Sequence, residues 1–162
     1  KYLDYPEFIA NADSNIQPGW TKLVKQAKDL VRNGIEARDQ INILGDDAVP
    51  IAYHVSFWKS EVIDFALIQQ DSFDEVDMNT PIARQKYMLN KVMKICAIDF
   101  TFSDYEEVGT YFKQLINLLK QTNYSPFESP DFKKYEAELD KTVQQQSSPA
   151  TTVELTMGVN HR

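Results

Sequence analysis

The 162-residue sequence is poor in the residues that build covalent and metal cross-links. Cys96 is its only cysteine, which excludes an internal disulfide, and its spacing from Val92 and Met88 predicts a buried, inert thiol. The two histidines, His54 and His161, form no cluster with the spacing of metal ligands. The sequence therefore indicates neither a disulfide scaffold nor a zinc site, and it offers the thiol no partner base for nucleophilic chemistry.

Glycine-rich loops, long apolar runs and basic clusters are also missing. Only 5 glycines are present, and none forms a phosphate-binding loop. No run approaches the ~18 apolar residues of a membrane span, and no signal peptide is recognisable, so we expect a cytoplasmic location without membrane insertion. The 24 acidic residues exceed the 17 basic ones, which argues against nucleic acid as a partner. The acidity suits simple solubility or a basic protein partner.

The sequence is rich in apolar residues that recur at three- and four-residue steps, a spacing typical of amphipathic helices. Five such segments predict five helices, which run from Pro18 to near Gly45, from Pro50 to about Gln70, and onward from Thr80-Pro81, from Ser103 and from Ser129-Pro130. No strand-like alternation is sustained. The predicted fold is therefore an all-α bundle of about five helices, formed by residues 17–146. Residues 1–16 read as a connecting segment and residues 147–162 as a flexible polar tail.

Two local features refine this prediction. Gly34 lies inside the first helix, where glycine costs about 1 kcal/mol relative to alanine, so the sequence allows a kink or a break there. The run from Ser103 to Glu106 matches a capping box, in which serine and glutamate each satisfy the other's free N–H.

The residues by themselves suggest no chemistry. The acidic segment that begins at Asp71 has Val76 where a calcium-binding loop needs glycine and Ile82 where it needs glutamate. Glu61 and Asp64 lie one helical turn apart, but such a pair is ordinarily part of a solvated helix face. We therefore expect no catalytic and no metal-ligating residue in this chain.

Three stretches resemble the catalytic A subunits of V/A-type rotary ATPases. Residues 41–49, Ile-Asn-Ile-Leu-Gly-Asp-Asp-Ala-Val, are similar to a helix-to-loop element that reads like IVQLVG-DAL in those subunits. Residues 64–77, Asp-Phe-Ala-Leu-Ile-Gln-Gln-Asp-Ser-Phe-Asp-Glu-Val-Asp, are similar to the signature DFLQQNAFDPVD. Residues 80–89 resemble the helix that follows it, CPLEKQYRML, and residues 1–3 resemble the run that enters the domain. The resemblance covers residues 1–100 well, favours the catalytic over the non-catalytic subunit, and points to a bacterial branch.

This resemblance implies that the chain is the C-terminal helical domain of such a subunit. ATP or ADP with Mg would then be bound by the full-length subunit, whose phosphate loop lies in a preceding domain, and the fragment alone would be inactive. The implied partners are the non-catalytic B subunits, which alternate with the A subunits in a ring, and the central rotor shaft. The implied location is a peripheral complex on the cytoplasmic face of a membrane, where the domain would couple nucleotide state to rotation for ion transport or ATP synthesis.

The resemblance also assigns residues. Phe73 would stack on the adenine ring, with Gln70 and Ser72 beside it, and such stacking contributes about 0.5–1.5 kcal/mol beyond area burial. A loop would face the rotor shaft with Asp46, Asp47, Ala48 and Val49. Residues 50–54 depart from the family pattern, which has more acidic residues there, so shape rather than charge should dominate the shaft contact.

The alternative function is a stand-alone helical adaptor whose exposed faces bind a partner helix. A coding frame that continues upstream into a glycine-rich phosphate loop would discriminate between the two.

Overall fold

The computed structural model describes residues 19–73 and 81–147, with the side chains of 67–73, 81 and 82 left out. This part of the chain forms five helices, named here α1 (Trp20–Leu44), α2 (Ile51–Phe73), α3 (Pro81–Cys96), α4 (Tyr105–Tyr124) and α5 (Pro130–Gln146). The all-α prediction is confirmed. The predicted connecting segment, and the predicted tail beyond Ser147, lie outside the described residues.

Helix α2 is the central element of the bundle. It packs against α1, α3 and α4, and α5 packs against α4. The core is built from apolar side chains that all of these helices contribute. The largest of its fully buried members are Val62, Ile63, Met88, Leu89, Val92, Val108, Phe112, Leu115, Leu119 and Leu139. Cys96 is buried among them as predicted, its Sγ donates to the Lys59 carbonyl at 3.7 Å, and burial raises its pKa to about 12.

The break that the sequence allows at Gly34 does not occur, because α1 is continuous from Trp20 to Leu44. Gly34 instead marks the place where α1 and α2 approach most tightly. A Cβ at this position would overlap the Cβ and Oγ atoms of Ser60 and lie 3.0 Å from the Ser56 carbonyl oxygen. The missing side chain therefore serves helix packing, and the cost of glycine in a helix is offset by the contact it permits.

The capping arrangement of α4 is shifted by one residue from the prediction. Asp104 is the N-cap, and its Oδ1 accepts from the Glu107 N–H at 2.8 Å. The Glu107 carboxylate in turn accepts from the Ser103 N–H at 2.9 Å. The short aspartate side chain replaces the serine hydroxyl because it too can reach the free N–H groups of the first turn. At α5 the predicted start at Ser129-Pro130 is confirmed, and Ser129 is the N-cap, with its Oγ accepting from the Phe132 N–H at 3.2 Å.

A buried arginine closes the other end of α4. Arg84 on α3 donates to the Asn123 carbonyl at 2.6 Å and to the Ser125 carbonyl at 3.2 Å. These carbonyls lie at the C-terminal end of α4, where a cation is favourable because the helix dipole is negative there. Arg84 thus fastens α3 to the end of α4.

Candidate functional site at the α1–α2 loop

The loop between α1 and α2 begins with a glycine in a conformation that other residues rarely adopt. Gly45 has φ 93°, and its N–H donates to the Ile41 carbonyl at 2.8 Å, which ends α1. Ala48 then donates to the Gly45 carbonyl at 3.2 Å, and α2 begins at Ile51. The Leu-Gly-Asp sequence of residues 44–46 therefore opens the turn of a helical hairpin.

The four loop residues that were predicted to face a rotor differ in their exposure to solvent. Asp46, Asp47 and Ala48 are exposed, whereas Val49 is buried. Since an apolar side chain in a short turn gains stability by packing under it, Val49 anchors the loop to the bundle. Only the first three residues of the predicted set can meet a partner with their side chains.

Two ring residues tie this loop to the bundle. His54 on α2 is buried, and its Nε2 lies 2.9 Å from the Asp46 carbonyl oxygen, which can only accept, so this nitrogen carries the proton. The imidazole stacks on Tyr105 at the start of α4, with ring centroids 5.2 Å apart. Asp47 acts on Tyr105 as well, because its negative charge is the main cause that raises the pKa of the tyrosine hydroxyl. We name His54, Tyr105 and their contacts with Asp46 and Asp47 the loop latch.

Sequence reasoning missed the loop latch. His54 and Tyr105 are far apart in the sequence, and no motif connects them. Their only sequence signal is position, since each lies in the first turn or so of a helix. The parallel course of α2 and α4, seen again where Trp58 lies beside Gly109 one turn further on, is what brings the two rings together.

Large apolar side chains are exposed around the loop. Ile43 is 74% exposed, Leu44 is 55% exposed and Tyr53 is 40% exposed, and all three lie within one helical turn of the loop. We name these three residues the loop-end patch. Isolated exposed apolar residues are common on protein surfaces, but a group of them at one end of a bundle is typical of a contact surface.

Behind the loop, an open cleft of about 660 Å³ lies between α1, α2 and α4. Its walls carry four charged residues, Arg38, Asp46, Glu106 and Lys113. Aromatic side chains, among them Trp58, line the cleft between α2 and α4.

The residues predicted to contact adenine lie at the opposite end of α2. The helix extends to Phe73, three residues beyond its predicted end near Gln70, so the backbone of Gln70, Ser72 and Phe73 belongs to the last turn of α2 rather than to a loop. Their side chains lie outside the described residues, and the adenine contact stays a prediction.

Within residues 19–73 and 81–147, no group of three or more histidine, cysteine or acidic residues is placed to hold a metal ion. In the same part of the chain, none of the helices combines the length and the apolar character that crossing a membrane requires.

Comparison with known proteins gives one consistent result. The chain is 27% identical to the V-type ATP synthase alpha chain of Protochlamydia amoebophila over 143 residues, which is 88% of this chain and 24% of that protein. It is 29% identical to the protein of the same name from Treponema denticola over 120 residues, 74% of this chain. It is 34% identical to that of Borrelia duttonii over 113 residues, which is 70% of this chain and 20% of that protein. The chain thus spans only 20% to 24% of the length of these relatives. No family model and no solved structure matches it.

Proposed function

The chain belongs to the family of V-type ATP synthase alpha chains, and from this premise we propose that it is the C-terminal helical domain of such a protein. In this proposal the domain couples the state of a bound nucleotide, at one end of α2, to a central rotor shaft at the other end. The non-catalytic B subunits and the shaft are its partners. ATP or ADP with Mg is held by the full-length protein, of which this chain contributes the adenine side.

The loop-end patch carries the proposal. A rotor shaft turns past its partners, so its contacts must be held by shape and not by a fixed network of ion pairs. Ile43, Leu44 and Tyr53 offer such an apolar surface at the tip of the α1–α2 hairpin. Exposed ion pairs contribute only ~0–1 kcal/mol each, so Asp46 and Asp47 would add little to a contact of this kind.

A domain that transmits motion must also be stiff, and two features stiffen this hairpin. The close approach at Gly34 and Ser60 locks α1 against α2, and the loop latch ties the turn to α4. If α2 is displaced, the loop would therefore move together with it, because the turn would not deform.

Helix α2 itself links the two proposed contacts. It has 23 residues, which at about 1.5 Å each gives a rod of about 34 Å. Phe73 lies at its C-terminal end and the loop-end patch adjoins its N-terminal end. A shift at the nucleotide would thus reach the shaft through a single helix.

The experiment compares apolar residues on the same helix. In the full-length protein, assembled with its partners in membranes, Ile43→Asp with Leu44→Asp should reduce ion transport per ATP hydrolysed several-fold, because it places charges where the shaft is proposed to slide. Ile35→Asp is the matched control, since Ile35 is also exposed on α1 but lies about three turns away from the loop. Asp46→Ala with Asp47→Ala should leave ATP hydrolysis largely intact.

Equal coupling ratios for the Ile43/Leu44 variant and the Ile35 control would refute the shaft contact. The adenine contact is tested separately by Phe73→Ala in the same complex. Loss of a stacking partner should weaken nucleotide affinity several-fold, on the order of 1 kcal/mol, with little change in melting temperature. A drop in melting temperature with unchanged affinity would show that Phe73 is a packing residue instead.

A further inference from the structure

In the cleft behind the loop, the acidic residues lie at one end and the basic residues lie at the other. Asp46 and Glu106 lie at the end next to the loop, because one is in the loop and the other is in the first turn of α4. Arg38 and Lys113 lie at the other end, because α1 runs toward the loop while α4 runs away from it. Lys113 follows Glu106 by seven positions on α4, which corresponds to about two turns or about 10 Å.

The surroundings of Tyr105 agree with this arrangement. Tyr105 lies on the wall of the cleft beside the loop. The carboxylates of Asp47, Glu106 and Asp46 all act on it and raise the pKa of its hydroxyl, with Asp47 as the largest contribution. Tyr105 therefore lies in a negatively charged environment, at the same end of the cleft as Asp46 and Glu106.

Between the charged ends the cleft is lined by large apolar side chains, together with the polar side chains of Asn42 and Thr110. Phe57 and Trp58 of α2 and Ile41 of α1 line it there. Gly109 on α4 leaves the edge of the Trp58 indole open, since a Cβ at that position would lie 3.7 Å from two indole atoms. Lys113 Nζ lies over the same ring, 5.9 Å from its centroid, so the basic end of the cleft adjoins the aromatic surface.

We propose that this cleft binds an amphipathic α-helix of a partner protein, whose contacting face carries a basic side chain toward the loop, an acidic side chain about two turns away and apolar side chains between them. Two turns is the spacing of Glu106 and Lys113, so one face of a helix can meet both charged ends at once. The cleft is open along one side, and its volume of about 660 Å³ accommodates side chains from a helix that lies along it. The inference goes beyond the proposed function, because this surface involves α4 and lies behind the loop-end patch.

The probes are three synthetic alanine-based helices of about 20 residues, long enough to be helical in water. Each carries leucines on one face and two charged residues seven positions apart on that face, either Lys and Glu, two Lys, or two Glu. Binding of the labelled peptides to the full chain is measured by fluorescence anisotropy. We expect the Lys/Glu peptide to bind at least about threefold more tightly than either peptide of uniform charge, since only it pairs both ends of the cleft.

Variants of the chain connect this preference to the cleft. Lys113→Glu, and separately Arg38→Glu on the opposite wall, should weaken the Lys/Glu peptide about fivefold and tighten the two-Lys peptide. Lys133→Glu is the matched control, because this exposed lysine on α5 changes the net charge equally but does not line the cleft. Circular dichroism establishes that each variant is folded.

Three results would overturn the proposal. One is equal affinity for the three peptides, and another is the same effect from Lys133→Glu as from Lys113→Glu. The third is no peptide binding at millimolar concentration while a free amino acid quenches the fluorescence of Trp58, which would mean that the cleft takes small molecules and not a helix.

Discussion

Gly34→Ala tests the packing of the α1–α2 hairpin most directly. The added methyl group would overlap the Cβ and Oγ atoms of Ser60, and both Cβ atoms are fixed to helix backbones. Carbon atoms pack at about 3.5–4.0 Å, so the helices must separate by roughly 1 Å or more to accommodate it. Over-packing of this kind costs about 1–3 kcal/mol, and the better helix propensity of alanine returns about 1 kcal/mol. Since the clash involves no flexible chain end, we expect a net loss of about 1–2 kcal/mol.

The matched control is Gly109→Ala on α4. There the new methyl group would meet only Trp58 atoms, at 3.7 Å or more, which is ordinary contact. The same substitution should therefore raise the free energy of unfolding by up to about 1 kcal/mol. Opposite signs from the same chemical change would isolate the helix–helix contact from helix propensity.

The assay is urea denaturation followed by circular dichroism, supported by thermal melting, where the loss at Gly34 corresponds to a fall of about 2–8 °C. In a Ser60→Gly background the space opens, and Gly34→Ala should become neutral or stabilising. If Gly34→Ala stabilises the unmodified chain as much as Gly109→Ala does, then the close approach of α1 and α2 is refuted.

Three further predictions concern helix ends. Arg84→Met should lower the free energy of unfolding by about 2–4 kcal/mol, because it leaves the buried carbonyls of Asn123 and Ser125 without their donor, and a change below about 0.5 kcal/mol in urea denaturation would contradict this. Asp104→Ala should cost about 1 kcal/mol and Ser103→Ala clearly less, since the aspartate is the N-cap, and equal losses in the same assay would restore serine as the cap. Hydrogen bonds from the Ser103 N–H and from Gln146 hold the pKa of Glu107 below its usual value, so its contribution to stability is present above the unfolded-state pKa and is lost as pH falls through the folded-state pKa. Glu107→Gln should therefore flatten the decline in stability between about pH 5 and pH 2, and an unchanged acid profile would count against this contribution.

Helix existence and most helix ends could be predicted from the sequence because they depend on neighbours along the chain. The three- and four-residue spacing of apolar residues predicted all five helices. Ser129 with Pro130 predicted the start of α5, and Gly45 predicted the end of α1, since a glycine there supplies the positive φ that the turn needs. The family resemblance is equally local, because it rests on short stretches such as residues 64–77.

Where two local signals compete, the sequence alone decides less well. Ser103 and Asp104 are both good N-caps, and one residue of shift changes which of them reaches the first free N–H groups. At Gly34 the sequence shows only the low helix propensity of glycine. It does not show the contact with a second helix for which the glycine is needed.

The candidate site depended on the tertiary structure. Whether Val49 is exposed or buried follows from how the turn folds back on the bundle, and the loop latch requires the start of α4 to lie beside the start of α2. The separation of acidic and basic residues along the cleft follows from the directions in which α1 and α4 run, and not only from which residues they contain. The amino-acid sequence thus determined which segments are helical and which family the chain resembles, because hydrogen bonding and periodicity act within a few residues. Only the packed bundle decided which side chains from different helices meet, because that depends on the register and direction of helices that the spacing along a single helix does not specify.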